Sequence, residues 1–178
     1  MSPRTNTCGE SILSRLTVLS RSQATRYRGE VPYVVVSIRS PGHAIARLKT
    51  DPLREARINL AFYDTTPEWE LLCSDPVAAM SAEHAQRLAR FIVRYWDRFA
   101  IVVHCKFGVS RSAGVVAGIL DAFALDASSY EIAPYEPNPH VRRMTREALA
   151  PYTAAGALLR PKSRRSSALK LPPNLSDS

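Results

Sequence analysis

The sequence predicts an α/β domain with a central, mainly parallel sheet flanked by helices. Three observations lead there. The chain has 178 residues, 46% of them hydrophobic and 22% charged, which suits one compact domain with a buried core. Two short runs, YVVVSI at 33–38 and AIVVH at 100–104, are almost continuously apolar and β-branched, as in strands covered on both faces of a parallel sheet. Other stretches carry apolar residues at helical spacing and alternate with these runs.

Taken in order, the first ten residues lack a pattern and read as a flexible N-terminus, with the domain spanning 11–160. LTVLS at 16–20, YVVVSI at 33–38, INLAFY at 58–63 and AIVVH at 100–104 are the predicted strands. From Ser81, the spacing of Ala85, Leu88, Phe91, Ile92 and Tyr95 predicts an amphipathic helix, with Ser81 as N-cap and Glu83 in the first turn. A second helix starts near Ser110 and runs through Val115, Val116, Ile119, Leu120 and Phe123. A third follows Asn138 as N-cap, with Pro139 at the first helical position. The last segment, 161–178, is rich in Ser, Pro and basic residues and reads as a basic disordered tail.

Composition narrows the function classes. The N-terminus has no apolar run of signal-peptide length, and the longest apolar stretch, 113–120, is too short to span a bilayer. Cys8, Cys73 and Cys105 are an odd set without a CxxC pair or zinc-ligand spacing, so a reducing, cytoplasmic setting is expected and no structural metal or cofactor. His43, His84 and His140 form no metal pattern and read as surface or capping residues; Trp69 and Trp96 read as packing anchors, with Trp69 near enough to Asp64 to line a substrate mouth. A net charge of +8 favours anionic ligands, among them phosphates, nucleic acid and acidic lipid heads.

Chemistry concentrates where the last strand turns into a helix, at His104-Cys105-Lys106-Phe107-Gly108-Val109-Ser110-Arg111-Ser112. A cysteine at the end of a buried strand, followed by a tight loop into a helix start, sits where backbone N–H groups converge and bind an anion. The same donors and the positive helix end stabilise a thiolate, the nucleophilic form of the side chain. Arg111 can grip two phosphate oxygens with its planar fork, Gly108 permits a turn that a Cβ would hinder, and Ser112 can donate to the sulfur when it departs.

HCKFGVSRS resembles the HCxxGxxRS signature of the cysteine-dependent protein tyrosine phosphatase superfamily, and the chain length resembles its compact dual-specificity branch. The resemblance covers roughly 16–151. It implies Cys105 as nucleophile, Arg111 and the loop from Lys106 through Phe107, Gly108, Val109 and Ser110 as the phosphate cradle, and His104 as a supporting neighbour. It also implies that Asn138, in Pro137-Asn138-Pro139, braces that loop, and that a loop aspartate serves as general acid. Two carboxylates fit: Asp64 follows INLAFY directly, and Asp75 lies closer to Cys105 in sequence. Strand context favours Asp64. Phe107 stands where the family often has a small residue, and Lys106 adds charge beside the nucleophile.

The expected function is therefore hydrolysis of phosphotyrosine in proteins, with phosphoserine and phosphothreonine as open further substrates, through a phosphocysteine intermediate. Phosphate, sulfate and vanadate are the expected small anions. Phosphatase action on RNA 5′ ends or phosphoinositides, and a phospho-ligand-binding module without turnover, are the alternatives.

Overall fold

The computed structural model describes residues 15–70, 78–131 and 133–154. The N-terminal residues, Asp75, Cys8, Cys73 and the basic tail lie outside the described residues. Four strands, β1 (Leu16–Ser20), β2 (Tyr33–Arg39), β3 (Arg54–Ala61) and β4 (Ala100–Cys105), form one sheet in the order β1-β4-β2-β3, and every pairing is parallel. The two strands with continuous apolar runs, β2 and β4, occupy the centre. Val34, Val36, Ile101 and Val103 are 0–1% exposed there, and each such burial removes about 1.5–3 kcal/mol worth of apolar surface from water.

β3 differs from its expected bounds. It begins at Arg54 and stops at Ala61, before Phe62 and Tyr63. As an edge strand it has a half-exposed face, which accommodates Arg54, Glu55 and Arg57 and hides the apolar pattern of a central strand. Beyond it the chain leaves the ladder: the Phe62 amide still donates to the Arg39 carbonyl at 3.1 Å, but Tyr63 donates to Ala78 at 2.9 Å.

The helices are α1 (Arg21–Ala24), α2 (Pro67–Glu70), α3 (Ala82–Tyr95), α4 (Arg111–Ala122) and α5 (Pro139–Ala154), with a short 3-10 turn at Ser128–Tyr130. Ser81 caps α3 by accepting from the His84 amide, and His84 reaches back to the Ser81 amide, so this histidine is a capping residue. Asn138 caps α5, its Oδ1 accepting from the Val141 amide at 3.0 Å. α3, α4 and α5 share one core with one face of the sheet, where Leu88, Ile92, Val115, Ile119, Val141 and Leu149 meet Val36, Ile101 and Val103. Trp96 stacks on Phe123 with ring centroids 4.0 Å apart and closes that core near the end of α3.

The other face carries a smaller cluster, Tyr33, Val35 and Val102, with Leu19, Tyr27, Leu48 and Leu53 packed against it. α1 and the non-helical stretch between β2 and β3 lie on this side. Because side chains alternate along a strand, Cys105 faces the helical core and its neighbour His104 faces the opposite side.

Candidate active site

The loop 106–110 connects β4 to α4 at the carboxyl edge of the sheet, the place where α/β sheets hold ligands. Its carbonyls are held from outside. Lys106 C=O accepts from the Arg21 amide at 3.2 Å, Val109 C=O from Glu136 at 3.1 Å, and Ser110 C=O from Asn138 at 3.3 Å. A planar trans peptide puts the following N–H opposite its carbonyl, so these bonds turn the amides of Phe107, Ser110 and Arg111 toward the concave side of the loop. The Gly108 amide donates to Cys105 Sγ at 3.3 Å, and Ser112 Oγ lies 3.2 Å from the same sulfur. Cys105 is 2% exposed and is not in a disulfide.

Arg111, at the start of α4, is buried and fixed on one side. Its Nη1 donates to the Phe62 carbonyl at 2.9 Å and to Ser40 Oγ at 3.2 Å. Its Nε is buried without a hydrogen-bond partner among the described residues, 3.7 Å from the nearer Asp64 oxygen. A guanidinium N–H without a hydrogen-bond partner at a helix N-terminus is a donor that an anion can use.

Asp64, just beyond the end of β3, reaches the loop at Ser110. Its Oδ1 accepts from Ser110 Oγ at 2.7 Å and from Asn138 Nδ2 at 3.0 Å. Asn138 thus contacts both Asp64 and, through its backbone, the loop, and its amide also donates to Thr65 C=O at 3.3 Å. Trp69, 61% exposed, lines with Asp64, Ser110, Tyr135 and Asn138 an open groove of about 830 Å³.

The structure therefore brings together Cys105, Gly108, Ser110, Arg111, Ser112, Asp64 and Asn138. Phe107 is 68% exposed on the rim, and Lys106 is also exposed, with its ammonium 4.8 Å from the Phe107 ring centre. His104 does not point into the loop. It is 1% exposed on the other face of β4, where burial first and the Arg57 charge second push its pKa down to about 4. His140 is buried instead of exposed, with Nε2 2.8 Å from the Met80 carbonyl. Three contacts have no signal in the sequence: Ser40, the Phe62 carbonyl and the Arg21 amide, all supplied by segments far from the loop. Among the described residues no group of His, Cys, Asp and Glu can hold a metal ion, and no helix is long and apolar enough to cross a membrane.

No protein-family model matches the chain, and no curated protein matches it. Solved structures do. The human tyrosine phosphatase-like serine/threonine/tyrosine-interacting protein is 20% identical, with a TM-score of 0.53 over 80% of this chain and 95% of that one. A mouse protein, described as a putative dual specificity phosphatase complexed with zinc tungstate, is 14% identical, with a TM-score of 0.52 over 88% of this chain and 97% of that one. At these identities the likeness is one of fold: a mainly parallel four-stranded sheet with flanking helices, arranged as in proteins of the dual-specificity phosphatase type.

Proposed function

We propose that the chain is a cysteine-dependent phosphomonoester hydrolase acting on phosphotyrosine in proteins, with phosphoserine and phosphothreonine as further substrates of a dual-specificity site. The observation that carries this reading is the buried Nε of Arg111, without a hydrogen-bond partner and 3.7 Å from Asp64 Oδ2, beside a loop whose Gly108 amide donates to Cys105 Sγ. In the first step Cys105 Sγ attacks phosphorus, the bond to the ester oxygen breaks, and that oxygen takes a proton from Asp64. Arg111 Nε and the loop amides hold the equatorial oxygens as the phosphorus becomes trigonal bipyramidal. In the second step Asp64 takes a proton from water, which attacks phosphorus; the S–P bond breaks, and Ser112 Oγ donates to the departing sulfur.

Ser110 and Asn138 both donate to Oδ1 of Asp64, which leaves Oδ2, 3.7 Å from Arg111 Nε, as the oxygen that gives and takes the proton in the two steps. A binding module is the second reading. It is favoured by the description of the human neighbour as an interacting protein. Hydrolysis of a generic aryl phosphate in the presence of a chelator, by wild type and Cys105→Ser, separates the two. Turnover by wild type that is lost in Cys105→Ser supports the enzyme, and ligand binding without turnover in either supports the module. A panel of phosphopeptides, phosphoinositides and RNA 5′ ends then ranks the substrates.

A further inference from the structure

Behind the loop, on the His104 face of the sheet, lies a cavity of about 580 Å³, of the size that holds small ligands. It shares a wall with the loop through Lys106 and Phe107, but neither Cys105 nor Arg111 lines it. Among the described residues, six buried side-chain nitrogen or oxygen atoms lack a hydrogen-bond partner; three of them, both ring nitrogens of His104 and Nε of Arg39, belong to residues that line this cavity, and a fourth, Nε of Arg57, to a side chain that donates to the lining Ser37. Buried polar atoms are rarely left unpaired, and His104, almost wholly buried, lines the cavity directly.

Charge is equally one-sided. Arg21, Arg39 and Lys106 line the cavity, and Arg57 reaches its wall by donating to Ser37 Oγ at 2.8 Å. No Asp or Glu lines it, and none of these four cations has an ion-pair partner among the described residues. Arg39 and Arg57 are partly buried, and cations withdrawn from water without counter-charge gain from the arrival of an anion. Hydroxyls from Ser22 and Ser37 join them, and the neutral His104 ring offers one donor and one acceptor, of which a ligand hydroxyl takes one.

The walls are fixed in advance. Asp51 accepts from the Gly29 amide, the Leu53 amide and the Tyr33 hydroxyl, which ties the stretch after β2 to the sheet. Arg57 donates to the Ala46 carbonyl at 2.9 Å, and Arg39 to the His43 carbonyl at 2.9 Å. A cavity held this way loses little ordering entropy on binding.

We propose that this cavity is a second anion site, separate from the catalytic loop, that binds a small phosphorylated polyol: the phosphate on Arg21, Arg39 and Lys106, a ring hydroxyl on His104. Calorimetric titration of the full chain with inositol trisphosphate, adenosine monophosphate and inorganic phosphate, with unphosphorylated inositol as control, tests it. With vanadate saturating the catalytic loop, one molecule of a phosphorylated probe still binds per chain. Preference between inositol trisphosphate and adenosine monophosphate identifies the source of the polyol. Arg39→Gln and the half-exposed Arg21→Gln each weaken that binding about tenfold, the loss of one charge-assisted contact, while Arg111→Lys leaves it unchanged. Thermal melts confirm that the variants fold, and Arg21→Gln decides the matter if Arg39→Gln does not. With vanadate present, absence of probe binding, affinity unaltered in Arg21→Gln, or binding of inorganic phosphate but of neither phosphorylated polyol would each overturn the proposal. Vanadate titrated by itself reports on the catalytic loop, so failure of the phosphatase reading is visible separately.

Discussion

Gly108 has a φ of +77°, and a Cβ added there would stand 2.6 Å from the Ser20 amide nitrogen and 2.7 Å from the Leu19 carbonyl carbon. Both neighbours are backbone of β1 and its exit, so neither can swing aside. Gly108→Ala is expected to cost about 1–3 kcal/mol of stability from the left-handed conformation and the clash. It also moves the amide that donates to Cys105, with a loss in kcat/KM for an aryl phosphate on the order of a hundredfold. Urea unfolding and steady-state kinetics measure the two separately; full activity in a folded variant would remove the loop from the chemistry. Asp64 makes a different prediction, because a proton donor matters in proportion to the basicity of the leaving oxygen. Asp64→Asn should slow a phosphotyrosine peptide about 10²–10³-fold and slow dinitrophenyl phosphate far less. Asp75→Asn should show no such leaving-group dependence, and the reverse pattern would transfer the role to Asp75. The motif residues were legible in the sequence because their spacing is local. The partners of Arg111 were not, since Ser40 and Phe62 reach it only through the sheet.

At the scale of elements, α5 positions the site through its first turn. Asn138 serves two ends at once: Oδ1 caps the helix by accepting from Val141, and Nδ2 donates to Asp64. Asn138→Ser separates the roles, since a serine hydroxyl caps as well as an asparagine but is too short to reach the carboxyl. Stability should stay within about 0.5 kcal/mol of wild type, while kcat for a phosphotyrosine peptide falls about tenfold with KM little changed. Equal loss of stability and activity would mean that Asn138 acts only as a cap. α5 also lies close against α4, where a Cβ on Gly118 would meet the Arg142 carbonyl at 2.5 Å, so the site is carried on two tightly packed helices. α4 was legible from its apolar run, although Ser110 makes no side-chain cap, and α5 from Asn138 as N-cap with Pro139 at the first helical position. β3 starts four residues before the predicted INLAFY strand, because an edge strand with half-buried arginines shows little of the pattern that marks β2 and β4.

For the molecule as a whole, the sheet divides two kinds of surroundings. One face is sealed by three helices, and the other places His104 among arginines in a cavity. Global stability should register that asymmetry. The His104 pKa is about 4 in the folded chain, against 6.5 for the free ring, so below 6.5 the unfolded chain binds a proton that the folded chain does not. Its contribution is complete above pH 6.5 and declines as pH falls toward 4, by about 3 kcal/mol over that window. Urea midpoints at pH 7 and pH 4.5 should show this decline in wild type and a shallower one in His104→Leu; parallel declines would place the acid sensitivity elsewhere. The parallel sheet was legible in the sequence from two apolar runs. The cavity was not, because His104, Arg39 and Arg57 come from three strands whose order no local pattern gives.

The central claim is that Cys105 Sγ becomes bonded to phosphorus, and trapping that bond tests it most directly. Wild type and Asp64→Asn, mixed with dinitrophenyl phosphate in excess chelator and quenched in acid, should yield a peptide containing Cys105 heavier by one phosphoryl group. The adduct should be more abundant in Asp64→Asn, where water is activated slowly, and absent in Cys105→Ser. Turnover without any adduct on Cys105, or turnover that survives in Cys105→Ser, would contradict the account.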